Sequence, residues 1–180
     1  PYNEILEKRS VNNIKSLNFF KDVKSEVLDL EEEGKKIINI TVEEKATGEI
    51  FAGAGVGTNG GTISFGVSEN NYLGKGIKVA TNLSITEETV KGSFYVTDPN
   101  FRNSDKKVNY NLEATEIDRT STSGYKSNKT GLGIGTKFEY LDDFNLGLST
   151  QSLIEKIETD STASALQKKQ KGNYWDTFVN

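Results

Sequence analysis

From Gly48 to Ser149 the chain alternates, almost residue by residue, between apolar side chains and polar or small ones. That two-residue period belongs to β-strands, whose successive side chains point to opposite faces. Ile50, Ala52, Ala54 and Val56 alternate with Phe51, Gly53, Gly55 and Gly57. Ile63, Phe65 and Val67 follow, then Ile77, Val79, Leu83 and Ile85, then Val90, Phe94 and Val96. Val108, Tyr110, Leu112 and Ala114 continue the pattern, as do Leu132, Ile134, Phe138 and Tyr140, and finally Phe144, Leu146 and Leu148. The period predicts seven consecutive strands joined through Thr58–Gly60, Glu69–Gly76, Thr86–Thr89, Asp98–Lys107, Asp118–Thr130 and Asp142–Asp143. The first helix to follow Gly48 is expected at Ser161–Lys169. Sequential antiparallel strands make a meander, which folds as an up-and-down barrel or as a sandwich.

Ahead of Gly48 the period is different. Ile5, Leu6, Val11, Ile14 and Leu17 fall at helical spacing between Asn3 and Asn18. Phe19 and Phe20 mark the helix exit. Two strands follow, Val23–Leu30 and Ile37–Glu44, around a charged turn at Glu31–Lys36 that contains Gly34; the run Glu31–Glu33 is read as a solvated turn. A helix followed by a hairpin is a small layered α+β unit. Residues 1–47 and 48–180 are therefore expected to form separate parts.

Composition narrows what such a chain can do. It contains neither cysteine nor histidine, so it has no disulfide framework, no thiolate metal site and no imidazole to move protons near neutral pH. No carboxylate pair sits at a recognisable spacing. The expectation is no catalytic residue, no metal and no cofactor. A net charge of −4 provides no basic footprint for nucleic acid. Met is also absent and the sequence starts at Pro1, which reads as an internal piece of a longer chain whose leader would lie upstream.

Hydrophobic residues make up 34% of the chain without one long apolar run, which excludes a transmembrane helix. A membrane barrel stays open, because its strands bury only alternate residues in lipid around a polar lumen. The polar face here is rich in Gly, Ser, Asn and Thr with Lys and Glu, as a hydrated lumen would be. Strands of about 9–11 residues match the length needed to cross hydrocarbon at a tilt. Soluble sheets alternate as well, so alternation alone leaves a sandwich in play.

An ordered series of motifs carries a resemblance. LNFFKDVKSEV (Leu17–Val27) and the run Ile40–Glu44 resemble the end of a POTRA domain, the periplasmic module of BamA-type outer-membrane assembly factors. TGEIFAGAGVGTNGG (Thr47–Gly61) resembles the first barrel strand and hairpin of that family. ENNYLGKG (Glu69–Gly76) and VTDPNF (Val96–Phe101) resemble two of its turns, and SGYKSNKTGLGIG (Ser123–Gly135) and GNYWD (Gly172–Asp176) its later loop and strand region. Both turns also have a purely structural reading. The glycines of the first permit positive φ, with Tyr72 and Leu73 plugging the barrel end, and Pro99 fixes the second where no ladder donor is needed. The first strand and helix of a POTRA domain, the family's Arg-Gly-Phe loop motif and the closing strands are not in this sequence.

The resemblance implies a mainly β fold, in which residues 1–47 are the C-terminal part of a POTRA domain. Residues 48–180 would be the start of an antiparallel transmembrane β-barrel, about seven strands and a loop. It implies assembly and insertion of β-barrel proteins into the bacterial outer membrane, without enzymatic chemistry. Unfolded outer-membrane proteins, outer-membrane lipid and accessory lipoproteins would be the partners, with the POTRA part in the periplasm. With that placement, Thr58–Gly60, Thr86–Thr89 and Asp118–Thr130 face outside. The predicted client-pairing strand is Ile50, Phe51, Ala52, Gly53, Ala54, Gly55, Val56 and Gly57. A second docking edge is Val23, Lys24, Ser25, Glu26, Val27 and Leu28. Two alternatives stand beside this reading: a polypeptide-exporting relative of the two-partner secretion or autotransporter-assembly type, and a soluble structural β-sandwich.

Overall fold

Hydrogen-bonded ladders account for nearly all of the architecture. The structure is a computed structural model and describes residues 2–30, 35–57, 60–141 and 144–180. The chain divides into Pro1–Thr47 and Gly48–Asn180.

In the first unit, helix α1 (Glu4–Ser16) starts where Asn3 turns its side chain inward. Asn3 Oδ1 accepts from the amides of Ile5 (2.9 Å) and Leu6 (3.2 Å), satisfying two of the orphan donors of the first turn. Strands β1 (Phe20–Asp29) and β2 (Lys36–Glu44) pair antiparallel, Val23 against Val42 and Val27 against Ile38. Residues 31–34 of the predicted charged turn lie outside the described residues. Among the described residues of this unit Val23 is the buried one, and Ser25, two positions along on the same face, reaches α1 by donating to Glu7 Oε1 at 2.6 Å. The Tyr2 hydroxyl donates to the other Glu7 oxygen, also at 2.6 Å. These two bonds, Ser25's first, hold the Glu7 carboxyl below its ordinary value of 4.5, and the same contact pushes the Tyr2 phenol up to about 12. A depressed carboxylate stabilises above its unfolded pKa and loses that contribution as pH falls through the folded value.

The second unit is one sheet. Among the described residues it has eight strands: β3 (Gly48–Gly57), β4 (Gly60–Tyr72), β5 (Ile77–Thr86), β6 (Thr89–Asp98), β7 (Lys107–Arg119), β8 (Tyr125–Leu141), β9 (Phe144–Thr159) and β10 (Gly172–Val179). They run in sequence order from β10 at one edge to β3 at the other, every neighbour antiparallel. The meander is therefore as expected, and the sheet is not closed.

Several details correct the sequence reading. An eighth strand, β10, joins the seven expected; the sequence does not mark it, because its apolar residues fall as the adjacent pairs Tyr174–Trp175 and Phe178–Val179, which show no period of two. The connection expected over Asp118–Thr130 is mostly strand: β7 runs to Arg119, helix α2 takes Thr120–Ser123, and β8 resumes at Tyr125. Strands are also longer than the expected span, with 17 residues in β8 and 16 in β9. The turn at Glu69–Gly76 shrinks to residues 73–76, with Leu73, Gly74 and Gly76 at positive φ, so its glycines do permit the left-handed backbone. Pro99 stands just past the end of β6, outside the ladder. The helix expected at Ser161–Lys169 is the shorter α3 (Ala165–Lys169), capped reciprocally by Ser164 and Gln167. Thr58, Asn59, Asp142 and Asp143, predicted turn residues, lie outside the described residues.

Register sorts the side chains onto two faces. Directly opposed residues share a face, and the row Ala52, Phe65, Leu83, Gly92, Ala114, Thr130, Ile154, Trp175 runs unbroken across all eight strands. The next row, Ile50, Val67, Thr81, Phe94, Leu112 and Leu132, is apolar apart from Thr81 and ends in Ser152 and Thr177 on β9 and β10. Ile63, Ile134 and Phe138 lie on this face, while Lys78, Lys91, Glu113, Lys137 and Glu139 lie on the other. A soluble sandwich would press the apolar face against a second sheet. Here that face stays bare: Leu132 is 63% exposed and Ile63 65%.

Two outcomes follow from this architecture. In reconstituted full-length protein, nitroxides stepped along Ile63–Val67 should alternate between oxygen-accessible at odd positions and water-accessible at even ones. In the first unit, Ser25→Ala should return the Glu7 carboxyl toward 4.5, read by NMR titration. Protection of α1 against hydrogen exchange should then fall away at a higher pH than in the unaltered protein.

Candidate functional site: the edge strand

The strand GEIFAGAGVG has few side chains able to hold a neighbour. Strand pairs gain stability from cross-strand contacts, mostly of β-branched and aromatic residues, and β3 has only Ile50, Phe51 and Val56 of those kinds. It pairs with β4 along its whole length, Glu49 to Ser68, Phe51 to Gly66, Gly53 to Ser64, Gly55 to Thr62, Gly57 to Gly60. Its other side faces no strand among the described residues, since β3 ends the sheet. Every residue of β3 is exposed, Val56 to 93%.

The two ends of this strand differ. Near its start, the Phe51 ring lies over Gly66, so that a Cβ at Gly66 would collide with the ring. An aromatic side chain laid across a glycine on the adjacent strand is a recognised way to pin register. Toward the hairpin the same face carries Gly53, Gly55 and Gly57, and a Cβ on any of them would meet nothing within 4 Å. Among the described residues these glycines, like Gly61 of β4 and Gly92 of β6, are therefore not required by packing, unlike Gly131, Gly133 and Gly135 of β8, which sit beneath Leu153, Asn111 and Asn109. Sequence reasoning missed Gly66 as a partner of Phe51. The signal, an aromatic residue opposite a glycine, emerges only once register is known.

The second predicted edge, Val23–Leu28, lies within β1, which pairs with β2 alone among the described residues. Val23, Ser25 and Val27 turn to the more covered face, whereas Lys24, Glu26 and Leu28 are exposed, with Lys24 paired to Asp22 at 3.0 Å.

Comparison with known proteins bears on what this sheet is part of. The Omp85 superfamily domain matches residues 71–180. The chain belongs to the Omp85 superfamily. It is 30% identical over 162 residues to the outer membrane protein assembly factor BamA of Neisseria meningitidis serogroup B, a match covering 85% of this chain and 20% of that protein. In fold it resembles the crystal structure of BamA from Haemophilus ducreyi lacking POTRA domains 1–3. The TM-score there is 0.75 at 17% identity, over 97% of this chain and 36% of that one. The resemblance to BamA-type proteins read from the motifs is thus borne out, as is the mainly β, barrel-type fold. This is an Omp85 outer-membrane protein, and the sandwich and exporter alternatives are not favoured. The chain spans about a fifth of the length of the curated relative and about a third of the solved one.

The contrast along β3 has a measurable consequence. Gly66→Ala should push the Phe51 ring aside and speed hydrogen exchange of the β3 amides up to about fivefold, equivalent to about 1 kcal/mol of lost cross-strand contact. Gly53→Ala should not speed it.

Proposed function

We propose that the full-length protein assembles and inserts β-barrel proteins into the outer membrane, and that Ile50–Gly57 is the strand with which an incoming client pairs. The observation that carries this is β3 itself: a sheet-edge strand whose Gly53, Gly55 and Gly57 answer to no packing demand among the described residues. In lipid an unpaired backbone group costs several kcal/mol, so a closed barrel must pair β3 with its last strand. A strand with small side chains makes that pairing easy to exchange. A client strand that displaces the resident one swaps hydrogen bonds without losing them, at little net cost, which is β-augmentation in a membrane. Insertion of this kind needs no covalent step.

On this reading residues 1–47 are the end of a periplasmic POTRA domain, and Val23–Leu28 is a second edge where unfolded outer-membrane proteins dock. Accessory lipoproteins and lipid complete the set of partners. The likeness to BamA along most of this chain supports these assignments.

The test uses two prolines and one disulfide. Amides of adjacent residues in a strand point to opposite edges, so one of Gly53→Pro and Ala54→Pro removes a donor to β4 and the other a donor at the open edge. The first should weaken the folded barrel. The second should leave it folded and slow client insertion in proteoliposomes at least about tenfold, a rise of about 1.4 kcal/mol in the barrier. A disulfide from Ala54→Cys to a cysteine on the closing strand should block insertion until reduced. Full activity of the oxidised, locked protein would show that clients do not enter at this strand.

A further inference from the structure

Charge is unevenly distributed along the rim of the apolar face. The row containing Thr130, Ile154 and Trp175 is the last apolar one on β8, β9 and β10 toward the ends that carry the 120–124 and 160–171 connections. Beyond it, on the same face, β8 presents Asn128 and Lys126, β9 presents Lys156 and Glu158, and β10 presents Asn173, preceded by Lys171. Trp175 is 76% exposed at this boundary and turns its indole N–H to Ser152 Oγ. A tryptophan with an apolar ring and a satisfied N–H suits a membrane–water interface.

The cations above that boundary differ in how they are engaged. Lys126 is held by Glu116 (2.7 Å) and Asp118 (3.3 Å), and Lys156 by Glu158 (2.8 Å). Lys168 donates to the Ser161 carbonyl, and neither it nor Lys169 nor Lys171 makes an ion pair among the described residues. Between Asp160 and Asn173 the chain has three lysines against one aspartate. The connection is anchored: the Asp160 amide donates to the Gly124 carbonyl (2.9 Å), its carboxylate accepts from Thr162, and Ala163 is buried. At the far side of the same rim, the β5–β6 turn presents Glu87 and Glu88, the latter engaged by Arg119 at 2.7 Å. The rim is thus basic over β9–β10 and acidic over β5–β6.

We propose that Lys168, Lys169 and Lys171, with Trp175 beneath them, form a seat for the anionic phosphate headgroups of the leaflet that contacts the β8–β10 wall. Leu132, Ile134, Ile154, Trp175 and Val179 on the same face would line the acyl chains, and charge complementarity would hold the phosphates within a Debye length of the lysines. The acidic β5–β6 turn disfavours the same lipids on the opposite flank, toward β3. This rests on the reading of the sheet as a barrel wall, with the 160–171 connection outside the cell.

The experiment uses full-length protein in phosphatidylcholine vesicles, with one introduced cysteine carrying a fluorophore at Asn173 or, as the control, at Val90. Quenching is compared for phosphatidic acid and phosphatidylcholine bearing a nitroxide high on the acyl chain, at equal mole fraction. Phosphatidic acid should quench at position 173 at least about twofold more than the choline lipid and show no excess at position 90. The excess should vanish in 1 M salt, where screening falls to about 3 Å, and in the triple variant K168Q/K169Q/K171Q. Equal quenching by the two lipids at position 173, or an excess unaffected by the triple variant, overturns the proposal. Labelling of Ser161→Cys on intact cells by an impermeant maleimide tests the topology separately. Lipid selectivity without external labelling would retain the lipid seat and reject the assignment of this loop to the outside.

Discussion

A backbone amide at hydrocarbon depth must have a partner, and the whole second unit can be derived from that requirement. The six interior strands, β4 to β9, meet it on both sides through consecutive antiparallel ladders that leave no crossover to bury. The ladders also decide facing. Because opposed residues share a face, the register that pairs Phe65 with Leu83 also carries an apolar row from Ala52 to Trp175 and puts Lys91, Glu113 and Lys137 on the other side. A slip of one residue anywhere would send charge into the apolar face. What the ladders leave over are the two edges, β10 and β3. Of these, β3 is the one with the fewest side chains to offer a second partner.

Much of this is legible in the sequence, and the reason is physical. Period two survives in a strand however the sheet is bent, so the alternation at Ile50–Val56 or Val108–Ala114 identifies strands and faces together. Reading fails where strands leave the apolar band. Between Asp118 and Thr130 the side chains are polar on both faces, as they can be above a membrane, so no contrast marks Tyr125–Lys129 as strand. β10 is hidden for another cause: Tyr174–Trp175 and Phe178–Val179 are adjacent apolar pairs on opposite faces, so no alternation shows. The ladders that build these segments are backbone interactions, and composition reports them poorly.

At the edge strand, a sequence identifies small residues but does not say what they are for. Glycines in a strand either make room for a neighbour or remove a contact, and the two uses look identical in a sequence. Register separates them. Gly131, Gly133 and Gly135 accommodate the side chains of Leu153, Asn111 and Asn109, and Gly66 accommodates Phe51, whereas Gly53, Gly55 and Gly57 accommodate nothing. The first group serves the wall as a wall; the second, like Gly61 and Gly92, is free of that demand, and on the proposed reading leaves the edge open to exchange.

The asymmetry along β3 suits a strand that must exchange partners without losing its place. Were it weakly held throughout, displacement of the closing strand would also free β3 from β4, and an unpaired strand in lipid would then cost far more than any client could return. Were it strongly held by branched side chains on both faces, the closing strand would be fixed as firmly as any interior one. Phe51 over Gly66 keeps the start of β3 in register with β4, beside the junction with the first unit at Thr47. From Gly53 to Gly57 only backbone bonds remain on that face, and backbone bonds are indifferent to whose strand supplies them. On the proposed reading, exchange therefore begins at the hairpin end and proceeds toward Phe51, where side-chain contacts stop it.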